Sequence, residues 1–157
     1  MNAAVVLFAD RMVALSNAGH QACTASLSGM VSAAKQAGAD AVSLWVLCPS
    51  ETVEKDCQDF VLHEAEKLGA DVLFALCPAF FETPTVRSAK AVKPFLTLID
   101  AEKPELLLFE DGIRARELAL RAALSKNAAC MTEVRGFSRQ NGRLVLRRSA
   151  YNANLTA

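Results

Sequence analysis

Residues 106–134 read "LLLFEDGIRARELALRAALSKNAACMTEV". Four apolar residues stop at Glu110-Asp111, Gly112 follows, and the next stretch carries Leu118, Ala122 and Leu124 at helical spacing. An apolar run too short for a buried helix, followed at once by an amphipathic helix, is half of a strand–helix–strand unit. The helix is expected over Ile113 to Lys126, and "NAACM" (127–131) is expected to supply the short strand after it.

The same alternation extends back to the first residue. "AAVVLFA" (3–9), "AVSLWVLC" (41–48), "DVLFALC" (71–77) and "ELLLFE" (105–110) read as strands. Between them, Gly19 to Gln36 places Cys23, Leu27, Met30, Val31 and Ala34 on one helical face, with Gly38 as a stop. A second helix follows Pro49-Ser50 with Glu51 and Glu54 in its first turn, where the helix dipole favours acids. It packs through Val53, Cys57, Phe60, Val61 and Leu68 and ends at Gly69. Residues 78–92, with Pro78 and Pro84, read as a loop and a helix start. Pro94 falls inside the next helix or in its first turn, and Pro104 marks the end of that helix. "VRGFSRQNGRLVLRRSA" (134–150) reads as a hairpin turning at Asn141-Gly142. Near-continuous apolar strands alternating with helices predict a single α/β domain over 1–157. Its three layers are α/β/α around a mainly parallel sheet, with an antiparallel hairpin near the C-terminus.

Composition narrows the function. Seventeen basic and seventeen acidic side chains leave no net charge in 157 residues. No bulk field therefore points to nucleic acid or to an anionic membrane. Apolar runs fall short of a bilayer span, and "MNAAVVLFAD" lacks the features of a secretory signal. The expectation is a cytoplasmic protein without membrane insertion. Five cysteines without a C-x-x-C pair argue against a disulfide framework or a zinc site. Cys48, Cys77 and Cys130 lie in or beside strand-like runs and are expected to be buried, inert thiols. His20 and His63 stand alone on helices.

Several chemistries lose their signatures. No G-x-G-x-x-G follows the first strand, and there is no phosphate-binding loop of the G-x-x-x-x-G-K-[ST] type and no G-x-S-x-G elbow. Asp10 ends the first strand, where a ligand-holding acid or a plain turn residue would both fit. No acid, base and nucleophile converge, so catalysis by this chain is not expected and no catalytic, cofactor-binding or metal-ligating residue is assigned.

Over essentially its whole length, and specifically from about residue 102 onward, the chain resembles the N-terminal domain of the electron transfer flavoprotein alpha subunit. Lys103-Pro104-Glu105 matches that family's K-P-D before a strand, and Arg116, Glu117, Leu118, Ala119 and Arg121 match its "GRDLAPRLA" element. Thr132-Glu133 matches a T-D pair. Arg148, Ala150, Tyr151 and Asn154 match the closing "RPAYGGN". Ala115 replaces a glycine, Glu117 an aspartate, Ser149 a proline and Asn152-Ala153 a Gly-Gly, which marks a divergent member. The resemblance implies an adenine nucleotide alpha hydrolase-like fold. It also implies a non-catalytic role: holding a beta subunit and helping to position a flavin domain that takes electrons from acyl-CoA or other dehydrogenases. FAD is implied for the full-length protein, whose flavin domain would follow this one, and AMP or a second FAD for the partner; this chain alone would hold neither. Arg116, Arg121, Arg148, Tyr151 and Asn154 become candidate partner contacts, with a solvated surface the alternative for the helix arginines and for the hairpin. The second functional reading is a stand-alone adenine-nucleotide module similar to universal stress proteins, using the crevice at the strand ends.

Overall fold

The computed structural model describes residues 1–13, 17–82, 89–150 and 155–156. Four strands form a parallel sheet in the order β3-β2-β1-β4: β1 (Asn2–Phe8), β2 (Ala41–Cys48), β3 (Asp71–Leu76) and β4 (Leu106–Phe109). Among the described residues five helices accompany it: α1 (Ala9–Val13), α2 (Asn17–Gln36), α3 (Glu51–Leu68), α4 (Ala89–Glu102) and α5 (Ile113–Lys126). A single 3-10 turn covers Pro78–Phe80.

The pleat of β1 explains the three layers. Ala3, Val5 and Leu7 point to one face and meet Leu27 and Val31 of α2 and Cys57 and Val61 of α3. Ala4, Val6 and Phe8 point to the other and meet Phe95 of α4 and Ala115, Leu118 and Ala122 of α5. A strand covered on both faces has no reason to alternate apolar with polar, and β1 and β2 do not. Trp45 packs edge-on against Phe95 at 6.0 Å between centroids, and Phe95 against Phe109 at the same distance.

Local signals set the helix ends. Ser50 accepts a hydrogen bond from the Val53 amide at 3.3 Å, and Gly69, at φ 62°, closes α3 with bonds to the Ala65 and Glu66 carbonyls. Asn127, at φ 50°, closes α5 in the same way. Pro94 lies past the first turn of α4 with its ring exposed. Its missing N–H leaves the Lys90 carbonyl without that helical donor.

The hairpin is β5 (Val134–Gln140) with β6 (Arg143–Ala150), joined by Asn141 at φ 50° and Gly142 at φ 76°. Two positive φ values in a two-residue loop define the turn that Asn-Gly favours. A short strand, β7 (Leu155–Thr156), pairs with β6, so this sheet is separate from the parallel one. Arg139 anchors it: its Nε donates to the Ala37 carbonyl at 2.9 Å, and its guanidinium lies where a side chain on Gly38 would be.

One expected strand does not form. Residues 128–131 are non-regular and exposed, so β4 is an edge strand and Leu106–Phe109 are only half-buried. A groove of about 790 Å³ runs along that edge, lined by Met30 of α2, Leu106 and Leu108 of β4, Ala119 of α5, and Met131 and Phe137. The chain leaves α5 through the left-handed Asn127 and reaches the hairpin without entering the sheet, so the local apolar run is not enough to pair it. Cys130 is exposed for the same reason, contrary to the buried thiol expected there; Cys48, Cys57 and Cys77 are buried and free.

Candidate functional site

The sheet order places a switch point between β1 and β4: the chain steps outward from β1 to β2 and β3, then returns to the far side of β1. Ligands of open α/β sheets enter the crevice at the carboxyl ends of such a strand pair. Here β1 passes into α1 without an intervening residue, and β4 passes into α5 through Glu110, Asp111 and Gly112.

Four charged side chains close that crevice. Arg114 Nη1 lies 3.0 Å from Asp10 Oδ2, and Arg11 Nη1 lies 3.2 Å from Glu110 Oε2. Arg11 also donates to the Asp111 carbonyl at 3.0 Å. Each pair joins an acid from one strand's end to an arginine from the other's. The Arg114 guanidinium lies 5.0 Å from the Phe81 ring centroid and 5.9 Å from that of Phe8, within cation–π range. Gly112 adopts φ 155° and ψ 158°, a conformation that side chains rarely permit, and a Cβ there would sit 3.5 Å from Arg11 Nη1.

Burial raises the Glu110 carboxyl above its ordinary value, with Arg11 opposing the shift. Glu110 Oε1, Asp10 Oδ1 and Arg114 Nε are buried without hydrogen-bond partners. Asp111 is held below the usual carboxylate range by Arg116, 2.9 Å away. Cys23 on α2 feels the charges of Glu110 and Arg11, but burial first, and Glu110 second, push its thiol up. A thiol so placed is a poor nucleophile at neutral pH. Among the described residues no group of three or more His, Cys, Asp or Glu could hold a metal ion, and no helix is long and apolar enough to cross a membrane.

The arrangement ties the ends of β1 and β4 together.

The sequence-derived contacts scatter around this site. Arg116 opens α5, bound to Asp111 and, at 3.7 Å, to Glu133. Arg121 is exposed one turn further along the helix, and Arg148 is exposed on β6 opposite Val134. Tyr151 and Asn154 lie outside the described residues. Sequence reading singled out Asp10, and Arg114 as part of the charged entrance to α5 with Arg116, Glu117 and Arg121, but did not pair the two across the crevice, and it gave Arg11 and Phe81 no role. The one available signal was the pairing of Asp10-Arg11 at one strand end with Glu110-Asp111 and Arg114 at another.

No protein-family model matches the chain, and no curated protein matches it. Among solved structures it is similar to the crystal structure of protein Rv1636 from Mycobacterium tuberculosis H37Rv. The identity is 15% and the TM-score 0.38, over 82% of this chain and 91% of that one.

Proposed function

We propose that the chain is a non-catalytic polypeptide-binding domain, in the part its resemblance to the electron transfer flavoprotein alpha subunit implies. It holds a beta-type subunit and helps to position a flavin-bearing domain that receives electrons from acyl-CoA or other dehydrogenases. The cofactors, FAD and the partner's AMP or second FAD, are carried by other parts of the assembly. The observation that supports this reading most is the crevice closed by Asp10–Arg114 and Arg11–Glu110, which leaves the surface as the place to act. The hairpin supplies such a surface. Arg135, Arg143, Arg147 and Arg148 are exposed there and form no ion pair among the described residues, whereas Arg139 is committed to Ala37 and Glu133 to Arg116. A partner with acidic groups around an apolar centre suits it. The stand-alone nucleotide module would require both ion pairs to open.

The test is co-purification with a beta-type subunit encoded in the same genome, comparing wild type with Arg148→Ala and Tyr151→Ala. The expected result is a complex that a truncation at the anchor weakens by about 2 kcal/mol, roughly thirtyfold. No association of the wild type at about 10 μM, a modest affinity by interface standards, or two variants that bind unchanged, contradicts the proposal.

A further inference from the structure

Cys48 closes β2, and Cys57 stands in the second turn of α3. Both are free and buried, and both belong to the core between the sheet and helices α2 and α3. Their thiols share a hydrogen bond, and Cys57 Sγ also lies 3.4 Å from the Glu54 carbonyl. Cys77 is not a rival partner. Its amide donates to the Cys48 carbonyl at 2.8 Å, but its side chain packs on the other face of the sheet, and burial pushes its thiol up to about 11. The bond between Cys48 and Cys57 divides their roles. It holds Cys57 below its ordinary value and pushes Cys48 up, so Cys57 ionises first, and the thiolate is the nucleophile. The start of α3 is capped by the Ser50 hydroxyl, and Glu51, Thr52, Lys55 and Asp56 are exposed. Opening two turns at a helix end takes less than global unfolding, and it admits a molecule as small as a peroxide.

We propose that Cys48 and Cys57 form a reversible disulfide site whose oxidant is a hydroperoxide, hydrogen peroxide in the simplest case. The Cys57 thiolate attacks one peroxide oxygen. The O–O bond breaks, the leaving hydroxide takes a proton to become water, and Cys57 is left as a sulfenic acid. The Cys48 sulfur then attacks the Cys57 sulfur. The S–S bond forms, and the sulfenic oxygen departs as water with the Cys48 proton. The two thiols lose two electrons and the peroxide gains them. A dithiol reductant reverses the reaction by exchange. The sulfurs need only approach from hydrogen-bond contact to the roughly 2.05 Å of a disulfide. The bond pins the second turn of α3 to the end of β2. This site stands whether or not a beta-type subunit binds the hairpin.

The test uses the whole chain with Cys130→Ser, which removes the exposed thiol and keeps four of the five cysteines. The folded protein is treated with hydrogen peroxide, its remaining thiols are blocked in denaturant, and it is digested with trypsin. Cleavage after Lys55 parts the two cysteines, so their disulfide joins peptide 36–55 to peptide 56–67. The expected result is the loss of two of the four thiols, that linked pair by mass, and recovery of both thiols with dithiothreitol. Cys48→Ser in the same background is expected to stop at a sulfenic acid on Cys57, which dimedone traps. The linked peptides are read with both cysteines in place, so they do not depend on how Cys48→Ser folds. A chain that keeps all four thiols overturns the proposal. So does a link through Cys23 or Cys77, or a loss that dithiothreitol does not reverse.

Discussion

Glu110 shows how the closed crevice is balanced at the level of single side chains. Its side chain is 19% exposed, and one of its oxygens has no partner. Arg11 compensates the charge only in part, because burial still raises the carboxyl above its ordinary 4.5. The folded state therefore holds this proton more tightly than the unfolded chain does. Stability contributed by Glu110 is present below pH 4.5 and is lost as the pH rises through the folded-state value. Glu110→Gln mimics the protonated form and removes that dependence. In urea unfolding from pH 4 to 7.5, wild type is expected to lose stability relative to the variant as the pH rises. A difference that is constant, or that grows with pH, contradicts the burial argument. The acids and arginines themselves were legible in the sequence, but their pairing was not. Asp10 meets Arg114 only because β4 lies beside β1, and strand order is a property of the whole sheet.

Among the elements, the hairpin follows most directly from its residues. Asn141-Gly142 announces the turn, and the flanking strands form where the pattern places them, with Phe137 opposite Leu146 and Arg139 opposite Leu144. Gly142 at φ 76° should resist substitution, because a left-handed backbone costs a branched residue about 1–2 kcal/mol. Gly142→Val is expected to speed amide hydrogen exchange across 134–148 while leaving β1 and β2 unchanged. Equal loss of protection in the core strands would mean that the two sheets unfold as one unit. Strands β2 to β4 and helices α2 to α5 were legible for a similar reason: each has a cap, a glycine or a proline at one end whose effect is local. Helix α1 was not: Ala9–Val13 follows β1 with no such signal, and Asp10, expected to end the strand, lies in that helix. "NAACM" was not, because a four- or five-residue apolar run cannot by itself report whether it is paired. The left-handed exit at Asn127 carries it along the outside of the groove instead. α5 carried a second message that core-facing periodicity conceals. Leu124 counts as a core position in the sequence pattern, yet it is the most exposed of the large apolar side chains among the described residues.

In the molecule as a whole, fold and proposed use lie apart. The architecture is one that often binds nucleotides at a switch point, and this chain has the switch point. Its first strand, however, runs straight into α1, and two cross-strand ion pairs and the Arg114–Phe81 contact lie across the space beyond. The proposed work falls to the arginines of the hairpin. The central claim is that the crevice is closed in the free protein, and a titration of isotope-labelled chain with AMP, followed by amide resonances, tests it most directly. Up to about 1 mM nucleotide, the weak end of specific binding, the amides of residues 8–12 and 110–116 are predicted to stay in place. Saturable shifts confined to those residues would contradict the account and restore the nucleotide-binding reading.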